Sequence, residues 1–190
     1  CNALLIASPV NTAGVIAVKN NTITTLSCTG STASVNGFVL TASNASIDCA
    51  FNRISDLSSS TQSGSVSALY INSAGSYSLH HNILSNLFAP NSTGQNRVNG
   101  LYVGTASQLK IYYNTIRLQA ASSSTLFGTN ALYCSSTPGL ELRNNVLINL
   151  STASGSGLTV AYRRSSTSVA NYSLSSNNNI FYTGVPSAQN

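Results

Sequence analysis

The sequence has no Met, no Trp and only three acidic residues, Asp48, Asp56 and Glu141, among 190. So few carboxylates speak against the clustered acids that polysaccharide cleavage needs. They also speak against a Ca²⁺ cage, which wants six or more oxygens with several carboxylates among them. Charged residues make up 6% of the chain, where a quarter is usual. The eight basic residues are scattered from Lys19 to Arg164, with only Arg163-Arg164 as a run. Nucleic-acid binding normally shows a denser basic stripe, and none is expected here. No apolar run is long enough to span a membrane as a helix. The four cysteines, Cys1, Cys28, Cys49 and Cys134, lack metal-site spacing. Disulfides involving Cys1 or Cys28 stay open, and no cofactor or metal is expected.

Hydrophobic residues nevertheless make up 42% of the chain, enough for a real core. Solubility then falls to Ser, Thr and Asn, which suits a rigid, heavily hydrogen-bonded surface. The opening Cys1-Asn2-Ala3-Leu4-Leu5-Ile6 already reads as strand, without an initiator Met or signal peptide. The expectation is one domain, 1–190, excised or matured from a longer chain.

An internal repeat organises the whole sequence. Asn21, Asn52, Asn82, Asn114, Asn145 and Asn179 recur at intervals of 31, 30, 32, 31 and 34 residues. Two residues after each stand Ile23, Ile54, Leu84, Ile116, Leu147 and Phe181. Five before stand Ile16, Ile47, Tyr77, Leu109, Leu140 and Leu174. Three before stand Val18, Cys49, Leu79, Ile111 and Leu142, with Ser176 as the exception. Five after come Leu26, Leu57, Leu87 and Leu150, with Gln119 and Gly184 breaking the column. A second strand signal precedes these: Ala3-Leu4-Leu5-Ile6, Gly37-Phe38-Val39-Leu40, Ala68-Leu69-Tyr70-Ile71, Gly100-Leu101-Tyr102-Val103, Ala131-Leu132-Tyr133-Cys134 and Gly157-Leu158-Thr159-Val160. Alternation of apolar and exposed positions marks strands with one buried face.

These columns predict an all-β parallel β-solenoid of about six coils, each of ~31 residues and three short strands. The recurrent Asn sits at a bend, where it tolerates left-handed backbone and bonds neighbouring main chain. Stacked coil on coil, the asparagines form a ladder. Polar stretches at 58–66, 88–99, 120–129 and 151–156 interrupt the repeat at one phase and are expected to project from one edge. A leucine-rich repeat is the rival, because Leu140–Leu147 carries an L-x-L-x-x-N-x-L core. It fails eight residues before the Asn, where Asn44, Ala74, Ala106 and Thr137 stand instead of Leu.

The repeat resembles the parallel β-helices of the pectate-lyase-like superfamily over nearly the whole chain. The phrasing Ser175–Tyr182 and Gly184–Asn190 is similar to β-helix regions of large secreted Bacteroidetes surface proteins. The resemblance implies a right-handed helix, and an extracellular or cell-surface location.

Candidate chemistry is sparse. Asp48 and Glu141 both lie four residues before their Asn, hence in one outward file but three coils apart. At roughly 4.8 Å per coil they stand about 14 Å apart, whereas paired carboxylates of glycosidases stand about 5–9.5 Å apart. Asp56, past the bend, reads as a turn residue. His80-His81 reads as corner stacking, His81 between Phe51 and Tyr113 and His80 between Ala50 and Tyr112. Consecutive strand residues face opposite ways unless the bend intervenes, so the pair makes a poor chelate. No G-x-S-x-G elbow is present. No catalytic residue is assigned.

The outward position of the Leu-Tyr strand gives Val39, Tyr70, Tyr102, Tyr133 and Thr159. Tyr70, Tyr102 and Tyr133 form the candidate ligand-binding strip, suited to glycans or a neighbouring subunit, or else stiffen the sheet by stacking. Lack of Trp counts against a sugar platform. No file of Thr supports ice binding. The N-x-[ST] matches at Asn20, Asn44, Asn91, Asn149 and Asn171 come cheaply in so Asn- and Ser-rich a chain. The sequence reading is therefore a non-enzymatic structural or adhesive module, continued or docked end to end. A carbohydrate-binding or inactive lyase- or hydrolase-like domain is the alternative.

Overall fold

A computed structural model describes residues 1–7, 14–30, 32–135 and 138–190. The chain winds into a parallel β-solenoid of about six coils. Every paired strand aligns with the strand one coil away in parallel register. Thr137, used above against the leucine-rich repeat, lies outside the described residues. The observed parallel sheets, with no helix among the described residues, dispose of that rival.

Four sheets run along the stack. The first, here the tyrosine sheet, comprises Asn2–Ile6, Val35–Leu40, Val66–Asn72, Gly94–Thr105, Phe127–Cys134 and Thr159–Arg164. The second precedes the bend: Val15–Lys19, Ser46–Ala50, Ser76–His80, Gln108–Tyr112 and Gly139–Arg143. The third follows it: Thr22–Ile23, Arg53–Ile54, Ile83–Ser85, Thr115–Leu118, Val146–Asn149 and Ile180–Tyr182. A small fourth sheet comprises Leu26–Cys28, Leu57–Ser59 and Leu87–Phe88 and, among the described residues, is confined to the first three coils.

The inward columns read from sequence align residue for residue. Ile16, Ile47, Tyr77, Leu109 and Leu140 stack, as do Val18, Cys49, Leu79, Ile111 and Leu142. Ile23, Ile54, Leu84, Ile116, Leu147 and Phe181 form the file beyond the bend. Cys49 and Cys134 are buried free thiols, whereas Cys1 and Cys28 form a disulfide. The small residues of the tyrosine sheet have a steric reason. A Cβ on Gly37 would lie 2.6 Å from Ile54 Cγ2, and one on Gly100 would lie 2.3 Å from Ile116 Cγ2.

The asparagine ladder is continuous. From Asn21 to Asn145, the backbone N–H and side-chain Nδ2 of each Asn donate to Oδ1 of the next, at 2.9–3.1 Å. Nδ2 also reaches back to a main-chain carbonyl of the preceding coil, as Asn82 does to Cys49 O at 2.9 Å. Asn52, Asn82, Asn114 and Asn145 are buried. The left-handed backbone, however, falls one residue earlier. Asn20, Phe51, His81, Tyr113, Asn144 and Asn178 have φ between 53° and 57°. The ladder Asn supplies the bonds, and its predecessor supplies the turn.

Other expectations shift with the backbone. Thr25, Asp56 and Asn86 make a second left-handed bend (φ 61°, 58° and 53°), which aims Leu26, Leu57 and Leu87 inward. Among the described residues, coils four and five show no such bend, and the strand runs one residue further. Leu118 and Asn149 then point inward, fully buried, and Leu150 is left 38% exposed. Leu174 is likewise fully exposed rather than inward. In the sixth coil the second sheet dissolves into Ser-bonded turns, and Tyr172 takes the place opposite Leu140. The interrupting stretches stack rather than merely project. Ser92 Oγ donates to Thr61 O and Gly64 O, and Ser122 Oγ donates to Pro90 O and Ser92 O.

Candidate functional site

The outward file of the tyrosine sheet runs Leu5, Val39, Tyr70, Tyr102, Tyr133 and Arg163. Thr159, expected to close this file, instead pairs with Thr129 and is buried. The cause is a polar clamp. Asn149 accepts from Thr129 Oγ1 (3.1 Å) and donates to Val160 O (2.9 Å), while Thr159 Oγ1 donates to Ser151 O. Ala161-Tyr162-Arg163 thereby takes the place that Gly100-Leu101-Tyr102 holds in its coil.

Tyr70 and Tyr102 stack nearly parallel, 5.2 Å apart at 7°. Tyr133 tilts by 53° against Tyr102, and the Arg163 guanidinium lies over the Tyr133 ring at 5.7 Å. Burial first, then the neighbouring Tyr102, raises the Tyr70 hydroxyl above its ordinary pKa. The ring faces are thus spent largely on one another and on Arg163. Beside the file runs a groove of about 540 Å³, lined by Asn2, Ser34, Asn36, Ser67, Asn96, Arg97 and Asn99 along with Val39, Tyr70 and Tyr102. Side-chain bonds pin this wall. Asn36 donates to Asn2, Asn130 donates to Asn96 and Asn99, and Arg163 donates to Asn96. Arg97 is anchored on Thr93 O and Ser63 O. Sequence reasoning found the tyrosines and missed the groove's amides and Arg97, of which Asn96, Arg97 and Asn99 lie in a stretch read as an interruption.

The acids are dispersed and engaged. Asp48 and Glu141 align through Ser78 and Lys110, three coils apart as expected. Lys19 Nζ lies 2.5 Å from Asp48 Oδ2 and holds its carboxyl below the usual range; burial opposes this, and His80 adds to it. Glu141 pairs with Arg143. Asp56 is the turn residue anticipated, bonded by Ser55 Oγ (2.7 Å) and Asn86 Nδ2 (3.1 Å).

His81 stacks between Phe51 (4.8 Å, 17°) and Tyr113 (5.0 Å, 16°), and His80 pairs in register with Ala50 and Tyr112. The bend does intervene between the two histidines, so they converge rather than diverge. Their Nδ1 atoms are 3.0 Å apart, and His80 Nε2 lies 2.8 Å from Asp48 Oδ1. Among the described residues no group of three or more His, Cys, Asp or Glu could hold a metal ion. No helix among them is long and apolar enough to cross a membrane. Asn149, one of the glycosylation-type matches, is fully buried and closed to modification.

Comparison with protein-family models, curated proteins and solved structures finds no match.

Proposed function

We propose that this chain is a non-enzymatic structural and adhesive β-solenoid module of an extracellular, cell-surface or filament protein. The observation that carries the reading is the amide ladder, unbroken through six coils and open at both ends. Among the described hydrogen bonds, Asn21 Oδ1 receives no donor and the Asn179 backbone N–H finds no acceptor. One end therefore offers what the other lacks. The end coils add apolar surface in Val15, Ile180, Phe181 and Val185, all about half exposed or more. A further coil, from the same chain or a neighbour, would satisfy both. The Cys1–Cys28 disulfide fits an oxidising compartment. Three separated acids, each already held by a partner, leave no carboxylate pair within reach of one bond. The test is incubation with a panel of plant, algal and bacterial polysaccharides, assayed for new reducing ends and for unsaturated products. No turnover is expected. Turnover that scales with protein across chromatographic fractions overturns the reading.

The groove beside Tyr70 favours a second reading, carbohydrate binding on a lyase-like β-helix scaffold. Val39 and Tyr70 are neighbours in the file and line the groove together, beside Asn36 and Ser67. A sugar there would meet the Tyr70 and Tyr102 side chains and a wall of amides. A glycan array compared with Tyr70→Ala and Tyr102→Ala decides it. A signal that vanishes in both variants supports binding in the groove, and a blank array rejects it.

A further inference from the structure

The histidine corner has a geometry that stacking alone does not require. In an extended strand His80 and His81 would project to opposite faces. His81 instead occupies the left-handed bend, φ 56°, and both Nδ1 atoms converge at 3.0 Å. Each ring is held by its own device. His80 is fixed through Nε2 by Asp48, which is itself tied to Lys19. His81 is clamped face to face between Phe51 and Tyr113. The same bend carries Asn in coils one, five and six, at Asn20, Asn144 and Asn178. Asn tolerates left-handed backbone because its short polar side chain bonds locally, so it can serve this bend without an imidazole. The flanking coils put Phe51 and Tyr113 at this bend, so the bend itself does not call for a histidine, and what sets His81 apart is the convergence of its Nδ1 on His80.

We propose that His80 Nδ1 and His81 Nδ1 form a two-imidazole chelate for a borderline divalent metal ion, with Cu(II) the preferred occupant. A carboxylate on the far nitrogen is the partnership that fixes the tautomer of a metal-binding histidine and raises its basicity. With Nε2–H given to Asp48, His80 turns a lone pair at Nδ1 toward His81. In the metal-free protein His81 Nδ1–H donates to that lone pair. On binding, this proton leaves for water and His81 Nε2 takes one up, so the ring stays neutral and Nδ1 becomes a ligand. Two bonds of roughly 2.0–2.1 Å to one ion bridge nitrogens about 3 Å apart. Imidazole donors and the stability order of divalent ions favour Cu(II) over Ni(II) and Zn(II). Water fills the remaining positions, since His81 is exposed.

The test titrates the whole chain with Cu(II) chloride, followed by calorimetry and electron paramagnetic resonance. His80→Gln/His81→Asn reports the background of the amino terminus. One ion per chain above that background is expected, with hyperfine structure from two nitrogens. His81→Asn keeps the far-ultraviolet circular dichroism and melting temperature, because Asn already serves this bend elsewhere, yet loses the two-nitrogen signal. Asp48→Asn retains the signal but weakens binding by about tenfold. Binding indistinguishable from the double variant, or unchanged in His81→Asn, overturns the proposal.

Discussion

At the scale of single residues, the coil corner divides its work between neighbours. The ladder Asn has four hydrogen-bonding capacities in its side chain and uses them along the stack. Asn82 Oδ1 accepts from both the N–H and Nδ2 of Asn52, while its own Nδ2 reaches Cys49 O and Asn114 Oδ1. Truncating it strands several buried polar groups, each costing about 1–3 kcal/mol. Asn82→Ala is therefore expected to lose about 3 kcal/mol of stability by urea denaturation. Asn21→Ala, at the half-buried first coil, is expected to lose about 1 kcal/mol. The asparagine period was plain in the sequence because one residue type filled one position six times. The left-handed position beside it was not, because Phe51, His81 and Tyr113 stand there alongside three asparagines. Backbone strain accepted at those sites leaves no compositional trace.

At the scale of elements, side-chain volume decides what each strand tolerates. Gly100 lies against Ile116 and Ala131 O, so a methyl group has nowhere to go without moving main chain. Gly100→Ala is expected to cost about 1–3 kcal/mol by overpacking. Gly14→Ala, whose Cβ would meet nothing within 4 Å, is expected to change little by the same denaturation curve. Strand columns were legible wherever the strand was straight. Period-two alternation names the inward face once one anchor is known. Errors gathered where a bend was gained or lost. Without the second left-handed turn, Asn149 replaced Leu150 inside, since a one-residue change in where a strand ends flips every side chain after it. The sixth strand misled for a related reason. Gly157-Leu158-Thr159-Val160 imitates the repeat signal, but Thr159 pairs with Thr129 and bonds Ser151 O inside, and its outward place passes to Arg163.

At the scale of the whole molecule, two buried free thiols predict a weakness at alkaline pH. Burial pushes the Cys49 and Cys134 thiols up to about 12, against about 8.5 in an unfolded chain. The folded state thus keeps protons that the unfolded state releases. Their contribution is fully present below about pH 8.5 and is lost as pH rises toward the folded values. Urea denaturation between pH 8 and pH 10 is expected to show falling stability, and Cys49→Ala is expected to make that fall shallower. An unchanged slope in the variant would place the alkaline sensitivity elsewhere. Along the axis, the groove, the tyrosine file and the histidine corner all depend on coils held in fixed register. That register rests on the amide spine. Hydrogen exchange of backbone amides, read residue by residue by nuclear magnetic resonance, tests it most directly. The N–H groups of Asn52, Asn82, Asn114 and Asn145 should exchange only through global unfolding, as slowly as the core strands around Leu79 and Ile111. Exchange at those four amides as fast as at exposed turns would mean that the coils are not joined at their corners.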